Sequence, residues 1–123
     1  MEKVLLSYSG RFKWWEYNVS HGQLLIRGPK TNERPTQVDI LFKSVTLVNL
    51  PTYFDDICIY HSDKFKLSEY RKYTEVSREI YRIRWSDGEG YVIAIAMFHD
   101  ESDREFHEES PLFSRWPPRI ASS

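Results

Sequence analysis

The sequence predicts an all-β domain, an antiparallel β-roll or partly open β-barrel of about six to eight strands. Two stretches, residues 12 to 28 and 80 to 98, each read as a strand, a tight turn and a returning strand. Apolar side chains alternate with polar ones at period two along most of the chain, the spacing of a half-buried strand and not of a helix. Glycine, proline and aspartate punctuate short apolar runs instead of marking one interdomain linker.

A chain of 123 residues, 41% hydrophobic and 15% aromatic, is long enough for one domain with its own core. Residues 1–123 are therefore one β-rich unit, with 100–123 an acidic and then proline- and aromatic-containing tail. The first strand runs from Val4 to Tyr8 and is broken by Gly10. Phe12 to Val19 forms the first arm of a hairpin whose turn is His21-Gly22. A two-residue turn pairs Val19 with Leu24, Tyr17 with Ile26 and Trp15 with Gly28, and this face is taken as the core face. The opposite face then carries Phe12, Trp14, Glu16, Leu25 and Arg27, with Glu16 across from Arg27 as an ion pair.

After Gly28-Pro29 and a polar loop from Thr31 to Thr36, a longer strand is expected from Gln37 to Leu50. Val38, Ile40 and Phe42 keep one parity while Val45 and Leu47 take the other, which a bulge or sharp bend near Ser44 reconciles. Pro51 and Asp55-Asp56 bracket a turn before the strand Ile57 to Tyr60. Ser68 caps one short helix between residues 65 and 75, with extension of the next strand by Tyr73 to Val76 as the alternative. In the second hairpin Tyr81, Ile83 and Trp85 alternate with Arg82 and Arg84, and Asp87 to Gly90 turns the chain. An even-numbered connection pairs Trp85 with Val92, Ile83 with Ala94 and Tyr81 with Ala96. Val92 to Phe98 is apolar on both faces, as for a central strand covered on both sides.

A net charge of −1 gives no field to gather nucleic acid or an anionic membrane surface. No apolar run is long enough for a signal peptide or a membrane span, and a single cysteine, Cys58, cannot pair within the chain; both point to the cytoplasm. His99, Asp100 and His107 are weak metal candidates within an acidic stretch, which lacks the ligand spacing of a zinc or calcium motif. Cys58 lies between two isoleucines and reads as a small buried hydrophobe, not a nucleophile. Asp87-Gly88-Glu89-Gly90 is a turn without the following helix a phosphate loop needs, so no cofactor is expected.

Arg11 to Trp15 interleaves cations with aromatics, as single-stranded nucleic-acid platforms do, but the charge balance ranks that reading third. Arg82 and Arg84 share a strand face and pair either with a partner's carboxylates or, more simply, with the chain's own acidic segment. Leu112, Phe113, Trp116 and Pro117-Pro118 make a tail that packs back on the sheet or engages another chain.

The segments Tyr17 to Arg27 (YNVSHGQLLIR), Val38 to Lys43 (VDILFK) and Leu50-Pro51-Thr52 are similar to those of a group of small bacterial proteins of unknown function. The resemblance covers about the first half of the chain, implies a bacterial origin and carries no activity or catalytic residue. The function expected is therefore non-catalytic protein binding or assembly, with itself or another protein, through Phe12, Trp14, Leu25, Arg82, Arg84 and Trp116. The runner-up is a small-ligand-binding or enzymatic barrel in which His61, His99 and nearby acids line a mouth; nucleic-acid binding follows it.

Overall fold

A computed structural model describes residues 2–62 and 78–113. Among the described residues every element is a β-strand: β1 (Lys3–Asn18), β2 (Gln23–Gly28), β3 (Gln37–Lys43), β4 (Leu47–Asn49), β5 (Tyr53–Ser62), β6 (Glu79–Trp85), β7 (Gly88–Ala94) and β8 (Ala96–Ser102). They form one antiparallel sheet in the order β4-β7-β6-β5-β1-β2-β3-β8. The helix read between residues 65 and 75 lies outside the described residues, as does Trp116.

The bend expected near Ser44 is present. Ser44 adopts a left-handed φ of 53° and separates β3 from β4. The ladder passes around this corner with a slip of one residue, from Lys43 opposite Ala96 to Leu47 opposite Ile93. Ile95 donates its amide to the Lys43 carbonyl and Thr46 donates to that of Ile93, so the β7–β8 corner turns with the β3–β4 corner. The ladders at the two ends of the sheet are thus consecutive stretches of the same two segments, which rolls the sheet into a partly open barrel. Its interior holds Leu6, Phe12, Leu24, Ile26, Val38, Ile40, Phe42, Phe54, Ile57, Ile59, Tyr81, Ile83, Val92 and Ala94.

Both hairpins exist, each in a register other than the expected one. The first turn has four residues, 19 to 22, so that Asn18 pairs with Gln23 and Tyr17 with Leu24. Asn18 causes this: its Oδ1 accepts hydrogen bonds from Ser20 Oγ at 2.7 Å and the His21 amide at 3.1 Å, closing the turn two residues earlier. A bulge between Trp14 and Glu16 then reverses the facing upstream. Phe12 is consequently a core residue and its ring lies on Gly28, whereas Trp15, Tyr17 and Val19, expected inside, are exposed. The Glu16–Arg27 pair does not form, because Glu16 stands opposite Leu25.

In the second hairpin Ser86-Asp87 is a two-residue turn, pairing Trp85 with Gly88, Ile83 with Gly90 and Tyr81 with Val92. The large side chain again faces a small residue, with the Trp85 ring occupying the space over Gly88. Nor does Gly10 end a strand: β1 runs through it as a bulge.

Gly90 is required sterically. A Cβ at this position would lie 1.8 Å from the Asn49 carbonyl oxygen, which is backbone and cannot swing away. Gly90→Ala therefore prises β4 from β7 and costs about 3 kcal/mol, the upper end for overpacking. A lower urea midpoint with an unchanged m-value checks this.

Candidate functional site

Arg27 of β2 and Asp39 of β3 are opposite each other on the outer face of the sheet, yet both are buried, at 1% and 2% exposure. The contact is bidentate: Nε to Oδ1 at 2.7 Å and Nη2 to Oδ2 at 3.1 Å. Nη1 donates to the backbone carbonyl of Phe106 at 2.5 Å. Residues 103 to 113, which follow β8, lie over this face: Leu112 packs on Leu25 and Leu41, and Glu105 pairs with Lys30. Lys30 holds the Glu105 carboxyl below the ordinary carboxylate range. The described part of the tail thus packs back on the sheet, and it hides Leu25, one of the expected contact residues.

The bulge at Trp15 places its ring 5.0 Å from the Arg27 guanidinium, with Phe106 edge-on at 6.3 Å. On the other side of Arg27, Lys13 stands between Arg27 and Tyr53 in the ladders. Arg11 lies 4.9 Å over the Tyr53 ring and pairs with Asp55 at 2.6 Å, which holds the Asp55 carboxyl low. Trp15, Tyr53 and Phe106 are 37%, 58% and 57% exposed, and Lys13 has no hydrogen-bond or ion-pair partner among the described residues. The outcome is a surface of three aromatic rings bracketed by cations, held by a buried guanidinium beneath Trp15.

Other expected site residues are dispersed. Phe12 is fully buried and Trp14 is half-buried against the main core, so neither offers the exposed face expected of it. Arg82 is engaged with Glu2 at 2.6 Å and Glu89 at 3.0 Å and stacks 4.2 Å over Tyr60; its acids are not those of the 100–109 stretch. That stretch is instead met by Lys30, by Thr36 and Tyr8 on Glu101, and internally by Arg104 with Glu108. Arg84 is exposed and without a partner among the described residues.

His61 and His99 lie on β5 and β8, strands separated in the sheet by β1, β2 and β3: His61 meets Glu79 at 2.5 Å, while His99 stands opposite Ile40. Asp100 stands opposite Asp39, and the His107 ring contacts Phe106. No group of three or more metal-ligating side chains occurs among the described residues, so His99, Asp100 and His107 do not converge.

The Arg27–Asp39 pair escaped the sequence reading because the assumed register gave Arg27 to Glu16. A signal was available: Arg27 and Asp39 are the charged positions where two otherwise apolar strands, LLIR and VDIL, meet across a short loop. No protein-family model, curated protein or solved structure matches the chain, and no helix of the described residues is long and apolar enough to cross a membrane.

Removing one member of the buried pair strands the other. Asp39→Ala is expected to cost about 3–5 kcal/mol, whereas the double change Arg27→Met with Asp39→Leu restores most of it. Urea unfolding of the three chains decides this; equal losses in the single and double variants would contradict it.

Proposed function

We propose that this protein is a non-catalytic binding module of a bacterial cytoplasm that recognises another protein through the outer face of its first hairpin. The observation that supports this reading is the exposure of Trp15, Tyr53 and Phe106 together, with the Trp15 ring already fixed over Arg27. Rigid aromatic anchors lose little conformational freedom on binding, and such residues dominate interface energetics. Lys13, uncommitted, and Arg11 at the edge fit a partner that presents carboxylates around an apolar centre. A free Cys58 is in keeping with a reducing compartment.

Partners retained by the immobilised chain are purified and titrated back against wild type, Trp15→Ala and Lys13→Glu. Trp15→Ala is expected to weaken binding by about tenfold or more, and Lys13→Glu to slow association in a manner that added salt masks. Unchanged affinity in both variants would remove this face from the interface. Capture abolished by nuclease, with affinity falling steeply in salt, would establish nucleic acid as the ligand in its place.

A further inference from the structure

A groove of about 780 Å³ is lined by β1, β5, the start of the β6–β7 turn and the β2–β3 loop, sharing no residue with the Trp15 face. It forms where β1 and β5 slip past each other by one residue at a bulge: Gly10 has φ 99° and Asp56 has φ 66°. The Asp56 Oδ1 accepts the Gly10 amide at 3.0 Å, which holds both residues in this conformation. The φ of 99° at Gly10 is one that residues with a Cβ rarely adopt, so glycine is what allows the bulge.

The walls are fixed by backbone bonds. Arg34 donates to the carbonyls of Ser9, Gly28, Pro29 and Thr36, pinning the loop between β2 and β3 to β1. The β6–β7 turn is tied on the opposite side by the Ser86 amide donating to the Asp55 carbonyl at 2.8 Å. Tyr8, Tyr60 and Trp85 give the lining aromatic surface, and Ser7 and Ser86 give it hydroxyls. Polar and charged side chains of Ser9, Thr31, Glu33, Arg34, Asp56 and Arg84 complete the lining, so a ligand that fits this groove carries charged and polar groups beside an apolar one.

Its charges are uncommitted in a specific way. Arg11, Arg27, Arg82 and Arg104 each have a carboxylate, whereas Arg84, which lines the groove, has none among the described residues. Asp56 uses Oδ1 on Gly10, and its second oxygen has no partner among the described residues. Glu33, on the loop wall, is exposed.

Arg84 stands opposite Cys58, two residues along β5 from Asp56. Strand spacing and rise therefore separate the Arg84 and Asp56 Cα atoms by roughly 8 Å. An extended peptide of about two or three residues spans that length.

We infer that this groove binds the zwitterion of a short peptide, with the terminal carboxylate on Arg84 and the terminal ammonium on Asp56. The aromatic lining takes an apolar side chain, and the Ser7 and Ser86 hydroxyls are placed for peptide polar groups.

The dipeptide Ala-Phe, its N-acetyl form and its C-terminal amide are titrated into the full chain while the amide NMR signals of Ser7, Gly10 and Cys58 are followed. Ala-Phe is expected to shift these signals saturably, and each blocked form to bind about tenfold more weakly, the loss of one charged contact. Arg84→Gln removes the distinction between Ala-Phe and its amide. Asp56→Asn removes that between Ala-Phe and its N-acetyl form, since asparagine tolerates the left-handed backbone and still accepts the Gly10 amide. Glu33→Gln changes neither preference. Absence of saturable shifts at millimolar peptide, equal affinity for the blocked forms, or end-group preferences unaltered by these two variants would overturn the assignment. Loss of binding at the Trp15 face leaves this result untouched, and the reverse also holds.

Discussion

Ser44 holds a backbone conformation that L-residues ordinarily avoid at a cost of about 1–2 kcal/mol, and everything else in the roll is arranged around that corner. The Val45 amide donates to the Gly22 carbonyl at 2.8 Å, so the tip of the first hairpin braces the bend from outside. From inside, the corner passes its turn to the neighbouring segment through the Ile95–Lys43 and Thr46–Ile93 bonds. Without that reversal Val45, of opposite parity to Val38, Ile40 and Phe42 yet packed against the same core, would fall on the wrong side of the sheet. Because β3 and β4 share one segment and β7 and β8 another, the bend sets where the sheet ends meet and how much interior they enclose.

Register slips also generate both candidate surfaces. The bulge at Trp15 brings a large ring outward above Arg27, and the bulge at Gly10 and Asp56 opens the groove. A regular ladder would have presented neither, since strict alternation leaves only shallow rows of side chains. Arg27 extends the first slip's effect: a buried guanidinium needs acceptors on several sides, and the fourth element to reach it is the backbone of residue 106. The tail is thereby committed to the sheet by polarity as well as by Leu112.

Much of the fold was legible in the sequence because period two and turn chemistry are local signals. Parity across Ser44 revealed the bend, and the Val-Ile-Phe alternation located β3. Registers were not legible for the same reason in reverse. Asn18 lengthens its turn through side-chain bonds that a Gly22-centred turn type does not include, and a single extra residue at Trp15 exchanges inside for outside. Phe12 and Trp15 thus traded places, and of the expected contact residues Phe12 went to the interior while Leu25 stayed on the outer face and was covered by Leu112. The buried charge pair was hidden because Asp39 reads as the polar phase of a half-buried strand, whereas every residue of β3 is buried. The groove had no sequence signature: Gly10, Asp56, Arg34 and Arg84 come from four separate stretches and meet only in three dimensions.

β1 lies between β2, next in sequence, and β5, whose pairing brings Lys3 to His61; β3 lies between β2 and β8, where Gln37 meets Ser102. During synthesis the segment through Lys43 can form a three-stranded meander, while the strands that flank it on both sides emerge later. Such a meander has one apolar face and two open edges, the combination that invites pairing with other chains. Folding that waits for contacts so distant in sequence belongs to the slow class, about milliseconds to seconds. The chain therefore meets its greatest hazard of self-association before residue 102 is made, when neither edge of the meander yet has its partner strand.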